Sequence, residues 1–250
     1  ATMSTSANCT GSFKLGDIEF GCAHIHGVQD LRQAIVHSCN VFFYRLGLLV
    51  DAEGIAKYAR DFGFGENTGI DLAGEAKGLV PDKDWKKKTY KKNWFKGETA
   101  NYAIGQGYLL VTPIQIAKMT SVFANGGYII KPFLVAKIND VDIACQHHPE
   151  KFNVSDDSLD QVRRGMRGCV NDPTGTGTGA RMEGIVVSGK TGTAQTPKGA
   201  THGWFAGFAP YENAEMVVVV FDEYGGRSGS YAAELAGRVF QEAKRLGLLG

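Results

Sequence analysis

Three strand-like runs stand close together late in the chain, and they limit the fold more than any other feature. They are GIVVSGKTGT from Gly184, HGWFAGFAPY from His202 and AEMVVVVFDEY from Ala214. Each is rich in β-branched or aromatic residues, and tight connections join them. A parallel pairing needs a crossover of roughly a dozen residues or more, so these runs predict an antiparallel sheet. SGSYAAELAGRVFQEAKRLG, from Ser228, follows as an amphipathic helix with Leu235, Val239 and Leu246 on one face.

Upstream, the pattern is helical. DLRQAIVHS begins at Asp30, which suits an N-cap, with Leu31, Ala34 and Ile35 at helical spacing. VFFYRLGLLV and AEGIAKYARDFGFG read as two further helices. VTPIQIAKMTSVFANGG carries Thr112 as cap, Pro113 in the first turn and Asn125-Gly126 as the stop. Residues 66–98 read as a long irregular stretch with short turns, and DDSLDQVRRGMRGCV as a helix. The organisation expected is residues 1–28 irregular, 29–130 a helical subdomain, and 131–250 a sheet with a C-terminal helix. Helices followed by a short antiparallel sheet and a covering helix make an α+β fold.

The chain has 250 residues, 43% of them hydrophobic, enough for a real core. Lys+Arg is 27 against Asp+Glu 26, so no excess charge argues for nucleic acid. No run of about 18 apolar residues is present. The opening ATMSTSANC does not have the look of a natural start, and the chain reads as part of something longer.

Two short motifs carry the chemistry. In VVSGKTGTAQ, strand alternation puts Lys190 and Gly192 on one face, Thr191 and Thr193 on the other. A glycine inside a strand admits a ligand or another backbone. A lysine beside hydroxyls can hold an anionic group, although an edge-strand lysine can also merely discourage aggregation. In HSCN, Ser38 and Asn40 sit at a break between two helices. A serine there can relay a proton and an asparagine amide can grip a carbonyl; a helix-terminal capping pair is the plainer reading.

Together, and in this order, Ser38-x-Asn40 and Lys190-Thr191-Gly192 resemble the second and third motifs of the penicillin-binding transpeptidases and serine β-lactamases. AIVHSCNVFFYRLG, FGFGENTGIDLAGE, GLVPDKDW, AIGQGYLLVTPIQIA, VSGKTGTAQ and HGWFAGFAP extend the resemblance over essentially the whole chain, to the class B monofunctional transpeptidases and most of all to their cell-elongation branch. The resemblance implies the penicillin-binding transpeptidase (β-lactamase-like) fold and acyl transfer on D-Ala-D-Ala stem peptides of peptidoglycan, inhibited by β-lactam antibiotics. By the same resemblance Ser38 shuttles a proton to the leaving amine and Asn40 holds the substrate amide. Lys190 lends positive charge, Thr191 and Thr193 bind the terminal carboxylate, and the Thr193 N–H forms half an oxyanion hole. A membrane glycosyltransferase of the elongation machinery is the implied partner. The implied place is the periplasm, as a domain of an inner-membrane-anchored protein whose anchor is not in this chain.

One motif is missing. No serine here has lysine three positions on; Ser12-Phe13-Lys14 falls one residue short. The family's nucleophile helix belongs upstream of residue 1, so this chain alone is expected not to acylate. GQGYLLVTP and the wide interval between the two motifs favour a transpeptidase over a β-lactamase or carboxypeptidase of the same fold. A non-catalytic sensor module is the alternative from another class.

Cys9, Cys22, His26 and Cys39 follow C-x12-C-x3-H-x12-C. Three thiolates and an imidazole suit a structural zinc. A Cys9–Cys22 disulfide, a buried free Cys39 thiol and His24 in place of His26 stay open. Cys145 and Cys169 read as structural thiols or a second disulfide. DWKKKTYKKNWFKGE sets six lysines among aromatics, suited to anionic lipid or glycan and equally to a solvated basic loop. PTGTGTGA reads as a flexible rim of the site, and His147-His148 as an exposed pair. Trp204 and Phe205 are expected to pack beside the motif strand.

Overall fold

The computed structural model describes residues 5–142 and 149–250. Cys145 and His147-His148 lie outside the described residues.

The N-terminal region, expected to be irregular, contains short strands: β1 (Ala7–Cys9), β2 (Ser12–Leu15), β3 (Ile18–Gly21) and β4 (Gly27–Gln29). β1 pairs antiparallel with β4. β2 and β3 form a hairpin closed by Gly16-Asp17, with Leu15 opposite Ile18. Gly16 has φ of 61°, the left-handed geometry that a two-residue hairpin turn requires. Runs of three or four residues carry too little alternation to be read from sequence.

The helices follow: α1 (Leu31–His37), α2 (Asn40–Asp61), α3 (Lys83–Tyr90), α4 (Lys96–Ala103) and α5 (Pro113–Ala124). Asp30 caps α1 by accepting from the Gln33 N–H, and Thr112 caps α5 in the same way from Gln115. α2 is broken at Asp51 (φ 65°, ψ 164°), which divides it where the two helical sequence patterns meet. α3 and α4 correct the reading of residues 66–98 as irregular. Asp82 caps α3 by accepting from the Trp85 N–H, and the α3 residue Lys86 is buried in an ion pair with Glu98 of α4.

Four two-residue strands come next: β5 (Tyr128–Ile129), β6 (Lys137–Ile138), β7 (Val141–Asp142) and β8 (Glu150–Lys151). α6 (Asp156–Asn171) precedes the main sheet of β9 (Ser188–Ala194), β10 (His202–Ala209) and β11 (Met216–Asp222). The sheet is an antiparallel meander ordered β11-β10-β9, as the short connections demand. α7 (Gly229–Arg245) closes the chain. Among the described residues, no helix is long and apolar enough to cross a membrane.

The sheet is buried on both faces. Phe205 packs with Val187, Val218 and the α7 residues Ala232, Ala236 and Phe240. Phe208, of opposite parity on β10, packs with Ala124, Met166 and Tyr211 under α5 and α6. This corrects the expected role of the α7 stripe. Leu235, Val239 and Leu246 do share a side, but Val239 is 47% and Leu246 56% exposed. The buried side is alanine, glycine and Phe240, because the helix lies too close for larger residues. A Cβ on Gly237 would stand 2.6 Å from the Gly179 carbonyl oxygen.

Candidate active site

α1 ends at Ser38, whose backbone is left-handed (φ 55°, ψ 48°). That conformation costs a non-glycine residue about 1 kcal/mol or more and tends to mark functional positions. The turn places Ser38 and Asn40 in the break between α1 and α2. Asn40 is anchored to the hairpin: its Nδ2 donates to the Gly21 carbonyl at 3.2 Å, where the Tyr44 hydroxyl also donates at 3.0 Å. The Asn40 amide also interacts with the Tyr44 hydroxyl, and its Oδ1 is a further acceptor.

Lys190 on β9 faces this break. Its Nζ donates to Ser38 Oγ at 2.9 Å, joining residues 152 positions apart. It also donates to the Thr191 carbonyl at 2.9 Å and lies 3.4 Å from the Thr191 hydroxyl. Alternation puts Lys190 and Thr191 on opposite faces, but β9 is an edge strand, and the four-carbon lysine stem curls round it. These partners are all neutral oxygens. Burial pushes the Lys190 ammonium below the ordinary lysine range, with Cys169 acting in the opposite sense.

The rest of the motif is held from behind. Thr191 Oγ1 is 2.7 Å from Thr176 Oγ1, which is 3.3 Å from Cys169 Sγ. Thr193 Oγ1 accepts from the Gly229 N–H at 3.0 Å, at the N-terminus of α7. Gly192 pairs with Trp204, and a Cβ on Gly229 would stand 2.5 Å from the Gly192 carbonyl oxygen. Phe205 pairs with Thr191 and is fully buried, so both aromatics pack beside the motif strand as expected. An ammonium, three hydroxyls and a helix N-terminus therefore converge on one strand edge, an arrangement that stabilises negative charge.

Cys9, Cys22, His26 and Cys39 also come together. Their ligand atoms all lie within 4.8 Å of one another. His26 Nδ1 is 3.5 Å from both Cys9 Sγ and Cys22 Sγ. His24 instead contributes its backbone, accepting from Cys9 Sγ through its carbonyl. The thiols are free, so the Cys9–Cys22 disulfide is not formed; Cys169 is likewise a free buried thiol, not half of a disulfide. Burial pushes the Cys39 thiol up to about 12. Burial also acts to raise Cys9, but N–H groups of His26 and Gly11 outweigh it and hold that thiol below its usual value. Three sulfurs and one imidazole nitrogen at these separations fit a tetrahedral zinc in donor type and number.

Residues 6–242 match the penicillin binding protein transpeptidase domain. The chain belongs to that family. The chain is 36% identical over 234 residues to peptidoglycan D,D-transpeptidase MrdA of Acinetobacter baumannii, a match covering 86% of this chain and 34% of that protein. It thus spans about a third of the length of such relatives. The penicillin-binding protein PBP2 of Helicobacter pylori, solved in complex with MreC, superposes with a TM-score of 0.90 at 32% identity, over 100% of this chain and 46% of that one. A peptidoglycan synthase complex, solved for the structural coordination of polymerization and crosslinking, gives 0.83 at 34% identity over 95% of this chain and 41% of its own. The transpeptidase fold and its antiparallel sheet are as the sequence implied.

Two residues beside the candidate site were not legible in the sequence. Thr176 lies in PTGTGTGA, which is packed rather than free: the Gly177 N–H donates to the Cys169 carbonyl at 2.8 Å and the Thr176 N–H to the Val36 carbonyl at 3.4 Å. His37 ties the same loop to the cysteine cluster. Its Nδ1 is 2.7 Å from Gln29 Oε1, its Nε2 is 3.1 Å from Thr174 Oγ1, and its ring stacks on His26 at 5.7 Å. Gln29 Oε1 can only accept, so Nδ1 donates to it. The only signal for Thr176 was the alternation of threonine and glycine.

Proposed function

We propose that this chain forms two of the three walls of the cleft of a serine-type peptidoglycan D,D-transpeptidase, cross-linking D-Ala-D-Ala stem peptides. The observation that carries this is the 2.9 Å contact of Lys190 Nζ with Ser38 Oγ, which unites the two motifs in one site. A serine outside these residues attacks the penultimate D-Ala carbonyl. A C–O bond forms, and the C–N bond to the last D-Ala breaks. The proton released from the attacking serine's hydroxyl is relayed through Ser38 to the departing amine, and Lys190 orients the Ser38 hydroxyl. Thr191 and Thr193 receive the terminal carboxylate, and Asn40 holds the peptide through its side-chain amide. The Thr193 N–H is one oxyanion donor, worth about 3 kcal/mol in such sites. The amine of a neighbouring stem then takes the acyl group. β-Lactams acylate the same serine.

The cysteine cluster is proposed to hold a structural zinc through Cys9, Cys22, His26 and Cys39. Cys39 lies between Ser38 and Asn40, so a ligand bond there fixes the turn that aims both side chains. A membrane glycosyltransferase is proposed as partner, by analogy with the synthase complex, and the periplasm as the place of action.

Labelling by a fluorescent penicillin tests the assignment. The full-length protein should label, and Lys190→Ala should not; residues 1–250 alone should take no label. Wild-type labelling of Lys190→Ala would sink the reading. A long-lived penicilloyl adduct is expected, whereas rapid turnover would favour a β-lactamase.

A further inference from the structure

We propose that α3 and the start of α4 form a docking surface for the peptidoglycan strand itself, recognised through its repeated stem carboxylates. Seven of the 27 basic residues but only two of the 26 acidic ones fall between Lys83 and Glu98, so the rest of the chain is net negative. Lys87, Lys88, Lys91, Lys92 and Lys96 are exposed, and none has an ion pair among the described residues. Such segregated charge attracts polyanions. Two aromatics stand among the lysines, Phe95 at 62% and Tyr90 at 48% exposure. Both are held in place: Phe95 covers the buried Lys86–Glu98 pair at 4.7 Å, and Tyr90 packs on Trp85 and Tyr108. Fixed aromatic faces among cations suit sugar rings whose peptide stems carry carboxylates. Lys96 also lines a cleft of about 410 Å³ with Lys83, Trp94 and Leu48, within the size range of ligand sites.

The surface adjoins the cleft wall. The Gly21 carbonyl accepts from Asn40, and Phe20 lies against Gly97, where an added Cβ would stand 3.2 Å from its ring. One hairpin strand therefore links Asn40 to the residue beside Lys96. A strand lying on the lysines is thereby led toward the site. This assignment rests on the transpeptidase reading.

Cosedimentation of the full-length protein with purified sacculi tests it. Replacing Lys87, Lys88 and Lys92 together by Gln should weaken binding about tenfold, the cumulative effect of several exposed charges. The matching triple Arg variant should restore it, and amidating the sacculus carboxylates should abolish it. Undiminished binding by the Gln variant overturns the proposal, as does binding to phosphatidylglycerol vesicles in preference to sacculi. Penicillin labelling of the same samples reports on the reaction separately: it should be unchanged in the Gln variant, and its absence from the wild type would count against the transpeptidase reading while leaving sacculus binding to be judged by its own result.

Discussion

Lys190 Nζ and Ser38 Oγ stand 2.9 Å apart, and among the described residues the lysine's hydrogen-bond partners are neutral oxygens. A partly buried ammonium without a counter-ion among the described residues costs stability. Its pKa is lowered by burial, so the unfolded chain binds this proton more tightly than the folded one. The cost is full below the folded pKa and fades as pH rises through it toward 10.5. Lys190→Met should therefore melt higher than wild type at pH 7, and the gap should narrow as pH approaches 10. Scanning calorimetry across that range checks it; a variant that melts lower at pH 7 would contradict it.

Thr176 positions Thr191 through a hydroxyl pair at 2.7 Å. Thr176→Val keeps the shape and removes the bond. Acylation by penicillin should slow about tenfold, with a stability loss of about 1 kcal/mol. Thr176→Ser should recover most of the rate, whereas a purely structural role predicts unchanged rates in both variants.

Gly229 brings α7 against the motif strand, with its would-be Cβ only 2.5 Å from the Gly192 carbonyl oxygen. Gly229→Ala should cost about 1–3 kcal/mol, as overpacking does. It should also displace the N–H that Thr193 accepts and lower penicillin labelling. Equilibrium unfolding and labelling of the same sample read both effects.

The cysteine cluster predicts near one equivalent of zinc in protein purified without chelator. Cys9→Ser and His26→Ala should lower the zinc content, and His24→Ala should not, because His24 offers its carbonyl to the cluster rather than its ring. Chelation should reduce Tm by about 5 °C or more, since a ligand that binds only the folded state stabilises it. Elemental analysis and melting curves decide; zinc-free wild type ends the proposal.

Much of this was legible where local signals are strong. Thr112, Pro113 and Asn125-Gly126 announce α5, and the valine run of β11 announces a strand. The ligand set at residues 9, 22, 26 and 39 was visible as residue types, with His26 preferred to His24, and the turn geometry aims the His26 Nδ1 at the sulfurs. α3 was not legible because its sequence has almost no apolar face; it is fixed by a cap at Asp82 and by the Lys86–Glu98 pair, which forms only in the tertiary fold. The α7 face was misread because hydrophobic bulk was the guide, whereas the close approach of helix to sheet selects alanine and glycine. Thr176 was missed because its hydroxyl contact depends on how PTGTGTGA folds back on α6.

The most direct test is a crystal structure of the full-length protein acylated by a penicillin. The ligand carboxylate should lie within hydrogen-bonding distance of the Thr191 and Thr193 hydroxyls, with Ser38 Oγ still bonded to Lys190 and the Asn40 amide on the ligand's side-chain carbonyl. An acylated serine whose ligand carboxylate contacts neither threonine would contradict the assignment of this strand as the carboxylate-binding wall.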